Sequence, residues 1–155
     1  RGTRGRLMGV FEGDILLIET PDGGDIVFEN GCVKPCKDFS TAVYLSLFGG
    51  NKDDAGTVKN RRTWWANTLR ETPESEKMIS RFQAIITGLP LSVKNIRKAE
   101  TAAALDLDWL KNEGVADEII VEGKTRGKNI FVLKIEIKNS GTSLYEKEFS
   151  LLWEN

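Results

Sequence analysis

Apolar residues are densest at 39–48, where Phe39, Ala42, Val43, Tyr44, Leu45, Leu47 and Phe48 fall within ten positions. Wound as a helix, the run places Phe39, Ala42, Val43 and Leu47 on one side. Tyr44, Leu45 and Phe48 cover much of the other. A helix that is apolar nearly all round is buried, either inside its own domain or under a partner. Asp38 or Ser40 is placed to cap its start, and Gly49-Gly50 to stop it. Before it, residues 14–19 and 25–29 are short runs of strand formers. The Thr20-Pro21-Asp22-Gly23-Gly24 stretch between them predicts a turn, since Pro presets φ and Gly accepts positive φ. This pair reads as a β-hairpin that ends at Asn30-Gly31.

Residues 49–63 hold almost nothing apolar besides Ala55 and Val58. A connection this long in a compact domain is functional, mobile or held by a partner. A second helix is predicted to start at Thr72, with Pro73 at its first position and Glu74 and Glu76 at the positive end of its dipole. Met78, Phe82, Ile85 and Leu89 would make its apolar face, and Gly88-Leu89-Pro90 its end. The third helix has Ser92 as N-cap and a buried stripe of Val93, Ile96, Ala103, Leu107 and Leu110. Gly114 stands where a C′ glycine belongs, Val115 where it would touch Leu110, and Lys111 in the last turn complements the dipole.

The period then changes from 3.6 to 2. Residues 118–122, 129–138 and 144–152 read as strands, with turns at 124–128 and 139–142. Phe131, Leu133, Ile135 and Ile137 alternate with Ile130, Val132, Lys134, Glu136 and Lys138. In the last strand Tyr145, Phe149, Leu151 and Trp153 alternate with Glu146, Glu148 and Leu152. The expected fold class is α+β: an N-terminal β-hairpin, about three helices and a C-terminal three-stranded antiparallel meander. Residues 13–155 are expected to form a single domain behind an extension at 1–12. Met8 is the expected native start, with residues 1–7 a foreign addition.

Composition narrows the chemistry. A net charge of −1 gives no electrostatic footprint for nucleic acid or an anionic membrane. No apolar run approaches the length of a transmembrane helix. Histidine is absent, which excludes Ser-His-Asp, Cys-His and histidine-metal constellations. No phosphate-binding glycine loop of standard spacing occurs. Cys32 and Cys36 cannot complete a four-ligand zinc site without Asp or Glu. They read as two reduced thiols near a turn, or as one short-range disulfide. Asp53-Asp54 could bind a hard cation, and a solvated loop is the plainer reading. Asp106 and Asp108, two apart on a helix, point in different directions. Glu71 with Glu74 or Glu76 could serve a glycosidase, although acidic first turns also arise for dipole reasons alone. No cofactor and no metal is expected.

The residues left for function are those that dominate interfaces. Arg61, Arg62, Trp64 and Trp65 form a cluster of large aromatics beside forked cations. Adjacent residues of a regular element cannot both face one core, so one Trp is free for a partner while at least one belongs to the fold. The last strand is either a paired sheet edge or a strand offered to another chain, and its Tyr145, Phe149, Leu151 and Trp153 are candidate contacts.

Three segments in order carry a resemblance. Residues 41–48 (Thr-Ala-Val-Tyr-Leu-Ser-Leu-Phe), the Arg61-Arg62-x-Trp64-Trp65 box, and 104–116 (Ala-Leu-Asp-Leu-Asp-Trp-Leu-Lys-Asn-Glu-Gly-Val-Ala) resemble the Mu-like phage baseplate wedge family over about residues 13–137. The family is distantly similar to the sheath-initiator wedge proteins of contractile tails. The resemblance implies a structural, non-enzymatic component of a phage or prophage-derived tail baseplate, joining wedge subunits and initiating or anchoring the sheath. Its implied partners are other wedge subunits and the tail sheath protein, with no nucleic acid, membrane or small-molecule substrate. Its implied location is the bacterial host cytoplasm during assembly and then the virion baseplate. The extra Pro21-Asp22-Gly23-Gly24 turn and the acidic stretch 68–75 depart from the family pattern. The alternative is a peptidoglycan-cleaving, lysozyme-like glycosidase of the tail. A host-directed interaction module built on Trp64 and Trp65 is a third.

Overall fold

The structure is a computed structural model and describes residues 13–20, 23–50 and 77–153. It is α+β, and the chain forms two compact units, residues 1–41 and 42–155, with the boundary inside one helix rather than at a linker. The expected extension at 1–12 lies outside the described residues.

In the first unit, short strands pair in a nested order. β1 (Asp14–Ile15), β2 (Leu17–Thr20), β3 (Gly23–Ile26), β4 (Phe28–Glu29), β5 (Cys32–Val33) and β6 (Pro35–Cys36) form the antiparallel pairs β1–β6, β2–β3 and β4–β5. The three pairs meet at one cycle of backbone bonds. Leu16 N–H donates to Lys34 O at 2.9 Å, Lys34 N–H to Val27 O at 2.8 Å, and Val27 N–H to Leu16 O at 3.2 Å. The predicted hairpin is therefore present as β2–β3. The Asn30-Gly31 dipeptide does not end the strand region, however. It turns it, with positive φ at both residues (52° and 76°) between the paired Glu29 and Cys32. Asn-Gly is the preferred sequence for such a two-residue hairpin turn. Cys32 and Cys36 are free thiols.

α1 (Ser40–Phe48) carries no fully exposed residue, as a helix apolar on all sides requires. Asp38 Oδ1 accepts the Ser40 N–H at 2.8 Å, so the predicted acidic cap is in place. Within the first unit, Thr41 Oγ1 bonds the Ile15 carbonyl and accepts the Leu17 N–H.

α2 spans Arg81–Gly88, and the start predicted at Thr72 lies outside the described residues. Residues 72–76 lie outside the described residues, but 77–80 are not helical, so Met78 precedes the helix instead of lining it. Ser80 N–H is taken by the Gly50 carbonyl at 2.9 Å. The helix entrance is then satisfied from another element. Asp106 Oδ2 accepts the Phe82 N–H at 2.9 Å.

α3 (Val93–Leu107) has the predicted N-cap, Ser92 Oγ accepting from Asn95 N–H at 3.2 Å. Its buried stripe is rotated from the expected one. Asn95, Ala99, Ala102, Ala103, Asp106 and Leu107 are buried, whereas Val93 is 72% exposed. The rotation places two polar side chains inward, where each finds a partner: Asn95 Nδ2 donates to Pro90 O at 2.8 Å, and Asp106 caps α2. The helix breaks at Asp108 and resumes as α4 (Trp109–Asn112). Gly114 (φ 69°) and the Val115 N–H to Leu110 O bond at 2.9 Å complete the predicted C-terminal stop.

β7 (Glu118–Arg126), β8 (Ile130–Asn139) and β9 (Thr142–Leu152) form the antiparallel meander in the order β7-β8-β9. β7 runs on to Arg126 through residues expected in the turn, because Lys124 and Thr125 find partners in Val132 and Phe131. The β8–β9 turn is Ser140-Gly141, again with positive φ at both positions (50° and 75°). One sheet face packs on the helices through Phe131, Leu133, Ile135, Ile137, Tyr145, Phe149 and Leu151, all buried. Aromatic rings run through this core from helix to strand. Phe48 meets Phe82 edge-on at 5.6 Å, Phe82 meets Phe131 at 6.2 Å, and Phe131 meets Trp153 edge-on at 5.1 Å.

Candidate partner-binding site

Of the residues singled out for a partner, Arg61, Arg62, Trp64 and Trp65 lie outside the described residues, as do Asp53, Asp54, Glu71, Glu74 and Glu76. The other four fall on one face of β9. Tyr145, Phe149, Leu151 and Trp153 are all buried, Trp153 to 1% exposure. This corrects their reading as partner contacts: the side chains face the chain's own helices. Trp153 illustrates why. Its indole N–H donates to the Leu89 carbonyl at 2.6 Å at the end of α2, and its ring seals the aromatic chain at Phe131. A buried Trp generally finds such a partner for its N–H, and this one is internal.

Among the described residues, what β9 leaves unpaired is its outer edge. The phase of the ladder follows from the register. Trp153 N–H donates to Asn129 O at 2.8 Å, so alternate residues 151, 149, 147 and 145 also turn their backbone groups toward β8. The backbone N–H and C=O groups of Glu146, Glu148, Ser150 and Leu152 therefore point away from β8. Among the described residues no strand pairs with them. The same four side chains are exposed, and Leu152 is 64% exposed beside its cross-strand partner Ile130.

The opposite edge of the sheet is treated differently. On β7 the outward-pointing backbone positions are the odd ones, Gly123 among them. Glu100 of α3 reaches over and accepts the Gly123 N–H at 2.7 Å. The approach requires glycine, since a Cβ there would stand 2.9 Å from the Phe131 ring and 3.1 Å from Glu100 Cγ. A helix carboxylate thus covers part of one edge.

The other face of the sheet carries a ladder of charges beside the buried Val132. Glu148 pairs with Lys124 (3.3 Å) and Arg126 (2.7 Å), Glu146 with Lys134 (2.7 Å), and Lys138 with Glu118 (3.8 Å) and Glu136 (3.4 Å). The hydrogen bond from Lys134 holds the Glu146 carboxyl below its usual range, and those from Lys124 and Arg126 do the same for Glu148. Glu136 lies directly across from Glu146, a like-charge pair that Lys134 and Lys138 flank. Two devices limit the open edge. The register shifts between Ile137 and Lys138, leaving Leu144 as a bulge. Lys147 sits on the inner face, its ammonium 4.9 Å from the Phe149 ring centroid. Bulges and inward charges are how natural edge strands avoid indiscriminate pairing.

Asp106 is the buried titratable group of the helical layer. Its side chain is fully buried, with Arg81 Nη1 at 2.9 Å from Oδ1 and the Phe82 N–H on Oδ2. Burial pushes its carboxyl up, and the bonds from Phe82 and Arg81 pull back against that. Asp108 points away, to Lys111 at 4.0 Å. Among the described residues no group of Cys, Asp and Glu side chains could hold a metal ion, and no helix is long and apolar enough to cross a membrane.

The alternation of β9 was legible in the sequence, whereas the cover of its apolar face by the chain's own residues was not. That the backbone groups of 146, 148, 150 and 152 point away from β8 was not legible either, because edge position and ladder phase depend on strand order. No family model, curated protein or solved structure matches the chain.

Proposed function

We propose that the protein is a structural component of a contractile tail baseplate, joining neighbouring wedge subunits and presenting a strand edge on which the sheath is initiated or anchored. The observation that carries this reading is the outer edge of β9. Four successive outward backbone positions, 146 to 152, stand beside exposed side chains, while the β7 edge is partly covered by Glu100. Strand addition to an open edge uses main-chain hydrogen bonds for affinity and flanking side chains for specificity, and it suits an assembly protein.

A second observation supports it. Two of the three segments that carry the resemblance touch each other: Trp109 Nε1–H in the last segment donates to Ser46 Oγ in the first at 3.0 Å. These two segments thus pack against each other. Tail particles purified from the virus or prophage that encodes this chain are expected to contain a tagged copy. Particles that assemble and contract without it would overturn the reading.

A further inference from the structure

The exposed side chains along the β9 edge have a fixed order. Between the bulge at Leu144 and the end of the strand, the outward-facing positions read acid, acid, small polar, apolar: Glu146, Glu148, Ser150, Leu152. The one charged inner-face position within this stretch is a base, Lys147. Glu146 faces Glu136 across the β8 side and pairs with Lys134 at 2.7 Å, so a base on its outer side adds a second cation to a carboxylate that stands opposite a like charge. Leu152 and Ile130 form an exposed apolar pair at the far end. The bulge bounds the stretch on one side, so a strand added here has little room to slip in register.

We propose that this edge receives an antiparallel strand of another protein with a definite charge pattern. The partner carries bases opposite Glu146 and Glu148, an acid opposite Lys147, and an apolar residue opposite Leu152. Read from its own N-terminus, the segment is apolar first and alternates base, acid, base at its end. Antiparallel pairing continues the direction of the existing meander, and each opposite-charge pair across strands favours this register over its neighbours. The inference rests on strand addition at β9, the reading given above, and adds the chemistry of the strand.

The test uses the full chain and two fluorescently labelled, end-blocked peptides, Leu-Val-Thr-Val-Lys-Glu-Lys and Leu-Val-Thr-Val-Glu-Lys-Glu. Fluorescence anisotropy is expected to show saturable binding of the first, about tenfold or more tighter than the second. The triple variant Glu146→Lys, Lys147→Glu, Glu148→Lys is expected to reverse the preference. N-methylation of the Thr and first Lys amides of the first peptide removes hydrogen bonds to the edge and is expected to abolish binding without touching the protein. Ser150→Pro should do the same from the protein side, since the Ser150 N–H points away from β8. Equal affinity for both peptides, with N-methylation still blocking them, overturns the charge pattern and leaves strand addition standing. Binding unaffected by N-methylation, or no saturable binding of either peptide, overturns strand addition at β9 itself. Self-association of the free chain that Ser150→Pro removes would assign the edge to a second copy and overturn the proposal.

Discussion

Asp106 sits with its carboxylate fully buried while its partner Arg81 is 47% exposed, so the two ends of the pair live in different dielectrics. The exposed end is screened by solvent, and the pair's worth lies mainly in capping the Phe82 N–H. Asp106→Ala is expected to destabilise the fold by about 2 kcal/mol, because a buried donor loses its acceptor. Asp106→Asn should cost less, its amide oxygen being able to accept the same bond; urea denaturation of both variants checks the order. The pH dependence has a definite sign. The carboxyl is raised in the folded state, so folded protein binds the proton more tightly than unfolded protein. Its contribution is greatest below the ordinary value of 3.8 and declines as pH rises through the raised value. Stability of the native chain relative to Asp106→Asn should therefore fall across that window and level off above it. Gly123 offers a second check. Gly123→Ala should cost about 1–3 kcal/mol, because the Phe131 ring is held in the core and cannot yield freely.

At the scale of elements, β9 is held at both ends by features that can be tested separately. Its entrance is the Ser140-Gly141 turn, where Ser140 takes a positive φ of 50° and its N–H donates to Asp117 Oδ2 at 2.7 Å. Asn tolerates that conformation better than Ser, so Ser140→Asn is expected to stabilise by about 0.5 kcal/mol in thermal or urea unfolding. Its exit is Trp153, which closes the core and bonds the end of α2. Trp153→Ala should cost about 3–5 kcal/mol, the range for emptying a large aromatic site. A Trp153→Phe variant keeps an aromatic ring in the site: it should lose less, the remaining loss combining the smaller ring and the missing N–H bond to Leu89. The entrance of α2 at Arg81 is an element-scale effect too: the Asp106 carboxylate, distant in sequence, takes the Phe82 N–H, and the Gly50 carbonyl takes the Ser80 N–H.

At the scale of the molecule, the charges of the described sheet are distributed by face rather than by sequence. The outer face of the sheet carries ion pairs whose carboxyls, Glu146 and Glu148, are held below their ordinary value of 4.5. Their stabilisation is present above that value and fades as pH falls through the lowered one, the opposite sense to Asp106. The double variant Glu146→Gln, Glu148→Gln is expected to flatten the acid limb of the stability profile and to weaken its dependence on salt. Both effects should be modest, since these groups are exposed to solvent. The chain also gathers the segments 41–48 and 104–116, far apart in sequence, at the Trp109–Ser46 bond.

The amino-acid sequence by itself determined whatever depends on local period and local chemistry. The β8 alternation, the Ser92 cap, the Gly114 stop and the all-round burial of α1 follow from residues within a few positions of each other. The Asn30-Gly31 hairpin was equally local, its turn signal present in two residues and read only as an end. Tertiary structure decided the rest. Asn95 and Asp106 look like surface residues until α2 and the chain before α3 supply their partners. Val93 looks like core until the stripe rotates to accommodate them. Tyr145, Phe149, Leu151 and Trp153 could face a core or a partner with the same alternation, and only the helices packed on that face settle which. That β9 is an edge among the described strands belongs to strand order, a property of long-range hydrogen bonds that no local pattern contains.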